Sequence, residues 1–204
     1  MKQELRIFRL ALWLIFPWLA GHAQADPDPV QLQFRTIGWR LPETALFYRD
    51  SLREDVPVEV RPRAISDFYP YTGDGSLVFY RIERNAEGEP QRIPVAGVRL
   101  PEDTPSVLLL FTPPGGEPGS TARPQIRAIP DAPDRFGAGA VMAVNLTGSA
   151  VALRVDQEIR EIPDGAVRIL PTASGQGIEM LAAMKGAGGY ELLYSTRLRL
   201  YPGD

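Results

Sequence analysis

Apolar and polar residues alternate in short runs along most of the chain. Gln31–Gly38 sets Leu32, Phe34 and Thr36 against Gln31, Gln33 and Arg35. That is the two-residue period of a strand with one buried face. Ala45–Arg49 follows a proline turn and reads as a second strand. Val56–Arg61 alternates Val56, Val58 and Val60 with Pro57, Glu59 and Arg61, and Pro57 marks it as an edge strand. Ser76–Glu83 (SLVFYRIE) is the strongest core strand. Arg92–Leu100 carries Pro94, which places it at an edge or a bulge. Val107–Phe111 (VLLLF) is unbroken apolar sequence, the mark of a strand buried on both faces. Gln125–Ile129 opens a second set of strands. Ala140–Leu146, Ala150–Val155, Glu158–Ile162, Ala166–Leu170, Gly177–Ala183 and Tyr190–Leu200 complete it. Nowhere after residue 25 do apolar residues recur at helical spacing.

The first 25 residues have a different pattern. Lys2, Arg6 and Arg9 precede the apolar run Leu10–Ala20, which is shorter than the ~20 residues a membrane span needs. Ala23 and Ala25 then form a small-x-small signature. The expectation is a signal peptide, residues 1–25, cleaved after Ala25, and a periplasmic or secreted protein. The alternative is an uncleaved anchor. No later stretch reaches membrane-span length, so no stable span is expected after cleavage.

The strands divide into two sets. Pro113–Ser120 (PPGGEPGS) offers nothing apolar to bury and reads as a linker. The expected fold is all-β: two tandem Ig-like β-sandwich domains, 26–113 and 123–204, joined by a Pro/Gly linker at 114–122. The sets align as copies of one unit. Phe34–Gly38 matches Val141–Asn145, and Leu46–Tyr48 matches Leu153–Val155. Leu77–Tyr80 matches Ile178–Leu181, and Val98–Pro101 matches Arg199–Pro202. The first copy continues into Val107–Phe111, whereas the second reaches Pro202-Gly203-Asp204 with no such run. The expectation is either that the second domain lacks its last strand and exposes an edge or groove there, or that the reading frame is truncated and the strand is encoded past residue 204. Such an edge is a template for pairing with another chain.

Composition narrows the chemistry. The chain has no cysteine and one histidine, His22, which lies inside the leader. A mature chain from residue 26 thus has no imidazole base, no thiol nucleophile and no zinc–cysteine site. Its only lysine is Lys185, in a turn-like Lys-Gly-Ala-Gly-Gly segment. The net charge of −3 disfavours a nucleic-acid partner. No phosphate loop or Gly-x-Ser-x-Gly elbow is present. Glu54-Asp55 and Glu102-Asp103 are acidic pairs in turns, and Asp26, Asp28, Asp131 and Asp134 lie in loops without calcium-loop spacing. No catalytic residue, metal site or cofactor is expected. Asn145-Leu146-Thr147 is a formal glycosylation sequon and reads as incidental.

The distinctive local segment is Asp67–Gly75 (DFYPYTGDG). Phe68, Tyr69 and Tyr71 surround a proline before a glycine turn, and Trp39 ends the first strand. Exposed aromatic rings pack on a ligand while a tyrosine hydroxyl bonds to it. These four are the binding candidates; the competing reading packs them under a sandwich corner.

The order Leu46-Phe-Tyr-Arg, Phe68-Tyr-Pro-Tyr, Leu77-Val-Phe-Tyr-Arg, Ile93-Pro-Val-Ala, Leu108-Leu-Leu-Phe and Val144-Asn-Leu-Thr-Gly resembles secreted bacterial proteins of unknown function built from two tandem β-sandwich halves. The resemblance implies fold and export, and it carries no catalytic residue. It also implies a final apolar strand, which this sequence lacks. The expected function is that of an exported non-catalytic envelope protein binding a protein or glycan partner. A periplasmic chaperone-like module working by strand complementation is the alternative. A carboxylate-dependent hydrolase is the third reading.

Overall fold

Alternating sequence becomes strand throughout the computed structural model, which describes residues 29–114, 123–131, 140–171, 177–186 and 188–198. The leader 1–25, the Pro/Gly segment at 115–122, Asp134 and the terminal Pro202–Asp204 lie outside the described residues. Among the described residues fourteen strands follow in order: β1 Val30–Gly38, β2 Thr44–Arg49, β3 Asp55–Val60, β4 Tyr69–Gly73, β5 Ser76–Arg84, β6 Pro90–Arg99, β7 Ser106–Thr112, β8 Gln125–Pro130, β9 Val141–Val144, β10 Val151–Val155, β11 Glu158–Ile162, β12 Val167–Leu170, β13 Ile178–Gly186 and β14 Gly189–Leu198. The protein is all-β, and the described residues contain no α-helix. No helix among them is long and apolar enough to cross a membrane.

The first two sheets have strand orders β4-β1-β7-β8 and β3-β2-β5-β6. They pack face to face in a sandwich-like arrangement. Phe34 from β1 meets Tyr48 edge-on at 5.1 Å and Phe79 at 5.9 Å, and Phe79 meets Phe111 at 5.2 Å. Edge-to-face geometry adds to the burial of these large rings. The alternating residues Leu32, Phe34, Leu46, Tyr48, Val58, Val60, Leu77 and Phe79 form one continuous core with Val107, Leu109 and Phe111.

The other two sheets have orders β12-β9 and β11-β10-β13-β14. Their smaller core joins Leu153, Val155, Ile162, Leu170 and Ile178, with Val141, Ala143 and Met180 packed against it. The pairing pattern repeats that of β1–β6. β9 pairs with β12 as β1 pairs with β4, and β10 lies between β11 and β13 as β2 lies between β3 and β5. β14 flanks β13 as β6 flanks β5, and each of these hairpins has a register shift, at Phe79/Tyr80 and at Ala182/Ala183. The equivalence reaches single bonds. Gly38 N–H donates to Arg61 O, and Asn145 N–H donates to Ala166 O at the matching position.

Two elements differ from the sequence reading. Gln125–Ile129, placed at the head of the second set, is β8, and it hydrogen-bonds antiparallel to β7. It closes the first sheet pair by lying against β6, with Ile126 and Ala128 packed on that core. Tyr69–Gly73, read as an aromatic turn, is a strand, because β4 is an edge and Pro70 needs no ladder partner on its open side. Edge positions for the proline-bearing β3 and β6 agree with the pattern.

Two buried tyrosines give this fold an alkaline limit. Burial, then the Asp50 charge, pushes the Tyr48 phenol from 10.0 to about 12. Burial, then its bond to Asp55, pushes Tyr80 to about 12. Tyr48 donates to Pro70 O at 2.6 Å, and Tyr80 donates to Asp55 Oδ1 at 2.5 Å. A folded pKa above the unfolded value means stability present below pH 10 and lost as pH rises toward about 12. Urea midpoints are therefore expected to fall across that interval. Tyr80→Phe should flatten the fall, and an unchanged slope would contradict the assignment.

Candidate functional site: an open strand edge beside an apolar cleft

The internal repeat defines the site by a difference. On β1, the edge away from β4 carries β7 in parallel register, Phe34 opposite Val107 and Ile37 opposite Leu110. Gln33 N–H donates to Pro105 O and Trp39 N–H donates to Phe111 O at the two ends of this ladder. On β9, the edge away from β12 carries no strand among the described residues. By the alternation of a strand, the N–H groups of Met142, Val144 and Leu146 face that edge, while Asn145 faces the β12 side.

A cleft of about 870 Å³ runs beside this edge. One wall is the outer face of β1 and its flanks, with Arg35, Ile37, Trp39 and Ile65. The other is the β13–β14 hairpin, with Ala182, Met184, Leu193 and Tyr194. The first sheet pair explains why this wall is bare. There, Val95 at the β6 register shift packs on the core that β7 and β8 close over. At the β14 shift, Leu193 is 45% exposed and Tyr194 is 58% exposed. Tyr190 and Leu192 are exposed as well.

The outer wall is continuous with the contact between the two sheet pairs. Leu108, Leu110 and Ile129 turn away from the first core and pack with Ile37, Met142, Val144, Leu146 and Val167. β7 is thus buried on both faces, as its VLLLF sequence requires. β9 is likewise two-faced: Val141 and Ala143 serve the second core, and Met142 and Val144 serve this contact.

Charge in the cleft is sparse. Asp131, with its side chain 2% exposed, is held by Arg35 through Nε–Oδ2 at 2.5 Å and Nη2–Oδ1 at 3.0 Å. Such two-pronged pairing fixes the Arg35 side chain. Its guanidinium also lies 5.1 Å from the Phe68 ring centroid. Arg40 sits at a φ of 54°, in the left-handed region, and lies 5.9 Å from the Trp39 ring centroid. Among the described residues Arg40 has no carboxylate partner.

Of the four aromatic candidates, Trp39 lines the cleft and is 42% exposed. Phe68 is exposed beside Arg35. Tyr71 is only 5% exposed, within the first core, and Tyr69 stacks on Phe34 at 5.4 Å. The structure thus separates the set: the two tyrosines are sandwich packing. Sequence reasoning did not pick out Arg40, Ala182, Met184, Leu193 or Tyr194. The available signal was the run Leu192-Leu193-Tyr194, which breaks alternation in a strand that no described element covers.

The acidic pairs do not gather. Asp55 binds Arg92 through both carboxylate oxygens, at 2.9 and 2.8 Å, and its pKa is lowered first by Arg92 and then by Tyr80. Glu102 pairs with Arg99 on the surface. No group of three or more acidic, His or Cys side chains able to hold a metal occurs among the described residues. The sequon residue Asn145 is buried, and its amide nitrogen donates to both Ser149 O and Ile162 O. In the folded protein that nitrogen is committed. No family model matches the chain, and no curated protein matches it.

Proposed function

We propose that this is an exported, non-catalytic cell-envelope protein of two tandem immunoglobulin-like domains, and that it binds a protein partner by accepting a strand along β9. The observation that carries the reading is the pair of equivalent edges: β1 is filled by β7, and among the described residues no strand occupies the same edge of β9, beside an apolar cleft. Strand addition supplies main-chain hydrogen bonds for affinity and side-chain pockets for selection. A protein partner fits better than a glycan, because Tyr71 and Tyr69 are engaged in the first core. Export rests on the basic start, apolar run and Ala-x-Ala end of residues 1–25. The non-catalytic assignment rests on a sequence whose only histidine is His22 and which has no cysteine. Strand capture during envelope assembly, the chaperone-like form of this activity, would use the same edge.

The test is a peptide carrying the β7 sequence Ser106–Thr112, made soluble by terminal lysines and added to the protein. Residue-resolved hydrogen exchange should slow at Met142, Val144 and Leu146, and stay unchanged at Asn145. Slowing confined to β14, or none, would reject strand acceptance at β9.

A further inference from the structure

We infer that the segment accepted at β9 is a continuous apolar run, lying parallel to β9 and followed at its carboxyl end by a negative charge held by Arg40. This rests on the strand-acceptance reading above and specifies what the slot takes.

The pattern follows from the two walls. A strand beside β9 continues both of its faces. Residues pointing one way meet Ala182, Met184 and Leu193; residues pointing the other way meet Ile37, Trp39 and Ile65. Apart from Arg35, Arg40, Asp131 and Thr147 the cleft lining is predominantly apolar, so an alternating amphipathic strand would set polar side chains against apolar ones. Among the described residues, β7 is the strand most fully under that constraint, with Val107–Phe111 buried between two apolar layers. The slot beside β9 selects for that kind of sequence. A strand that exposes one face, such as β3 with Pro57 and Glu59, would be rejected.

The direction follows from the repeat and from charge. β7 runs parallel to β1, and the edge N–H groups of β9 occupy the positions of those that bind β7. Trp39 and Arg40 follow the end of β1, and they share a second, smaller cleft with Leu146 and Gly148 beyond the end of β9. A parallel strand therefore ends its run near Arg40. The Arg35 guanidinium is already neutralised by Asp131, whereas among the described residues Arg40 lies by the Trp39 ring and pairs with no carboxylate. An acidic side chain, or a terminal carboxylate, just past the apolar run completes that end.

Three peptides test this on the intact protein. The first has a seven-residue apolar run with a lysine tag before it and a free carboxylate after it. The second has serine at alternate positions. The third is the first with its carboxylate amidated. Titration should show the first binding at least about tenfold tighter than the second. The amidated peptide should bind several-fold more weakly, a difference that Arg40→Gln removes. A spin label at the carboxyl end of the first peptide should broaden the amides near Leu146 rather than Val141. Equal binding of the alternating peptide, or broadening at Val141, overturns the inference and leaves strand acceptance standing. Binding of none of the three overturns both. Protection of Met142 and Val144 that rises with protein concentration alone would assign the slot to a second copy and also overturn it.

Discussion

Phe79→Ala is expected to cost about 3–5 kcal/mol of folding stability, a lower urea midpoint with little change in slope. Phe79 is fully buried at the centre of the first core, touching Phe34 edge-on on one side and Phe111 on the other. These rings belong to β1 and β7, so the truncation leaves a cavity bounded by both sheets. The backbone around it is held by ladders on either side of β5, in β2 and β6, and cannot collapse inward. Phe79→Leu keeps most of the volume and should cost well under half as much. A loss below about 1 kcal/mol for the alanine variant would mean that the core relaxes to fill the space.

The second large effect belongs to Asn145. Its side chain bonds four times: Nδ2 to Ser149 O at 2.7 Å and to Ile162 O at 2.8 Å, and Oδ1 from the N–H and hydroxyl of Thr147 at 3.0 and 2.8 Å. These bonds tie the end of β9 to the end of β11 and to the turn before β10. Asn145→Ala strands the buried Ile162 carbonyl and should cost about 2–4 kcal/mol. Faster hydrogen exchange in β9–β12, with the first core unaffected, would locate the loss. Asn145→Asp separates size from chemistry, because it has the same shape but sets a carboxylate oxygen against two carbonyls. It should be no better than alanine. Restoration of stability by aspartate would show that shape alone holds the site together.

Much of this architecture was readable from the sequence because the two-residue period reports faces directly. The VLLLF run announced a strand covered on both sides, and Pro57 and Pro94 announced edges. The repeat was readable too, since Phe34–Gly38 and Val141–Asn145 place the same kinds of side chain inward. Partner choice was not readable. Gln125–Pro130 has the correct alternation for a strand, but alternation does not say which neighbour it bonds. Its pairing with β7 is a tertiary outcome. The Phe68–Tyr71 segment misled because proline and aromatic clusters suit both turns and edge strands, and only the Phe34 and Tyr48 contacts decide between them. At the site, an open edge in the second set followed from comparing the two copies, and among the described residues β9 has one. Arg40 did not, since an arginine after a strand looks like any other surface charge.

The parallel β1–β7 ladder also has a kinetic meaning. It joins Gln33 to Ser106, so the intervening chain must be gathered before the first of these bonds forms. Long-range pairing of this kind is slow compared with closing hairpins. Until β7 docks, the β1–β6 unit shows an uncovered β1 edge and a bare β6 wall, a passing stage of folding. In the β9–β14 unit, no strand lies in that position beside β9 among the described residues. What the first unit must hide quickly to avoid misassembly, the proposed strand acceptor uses as its binding surface.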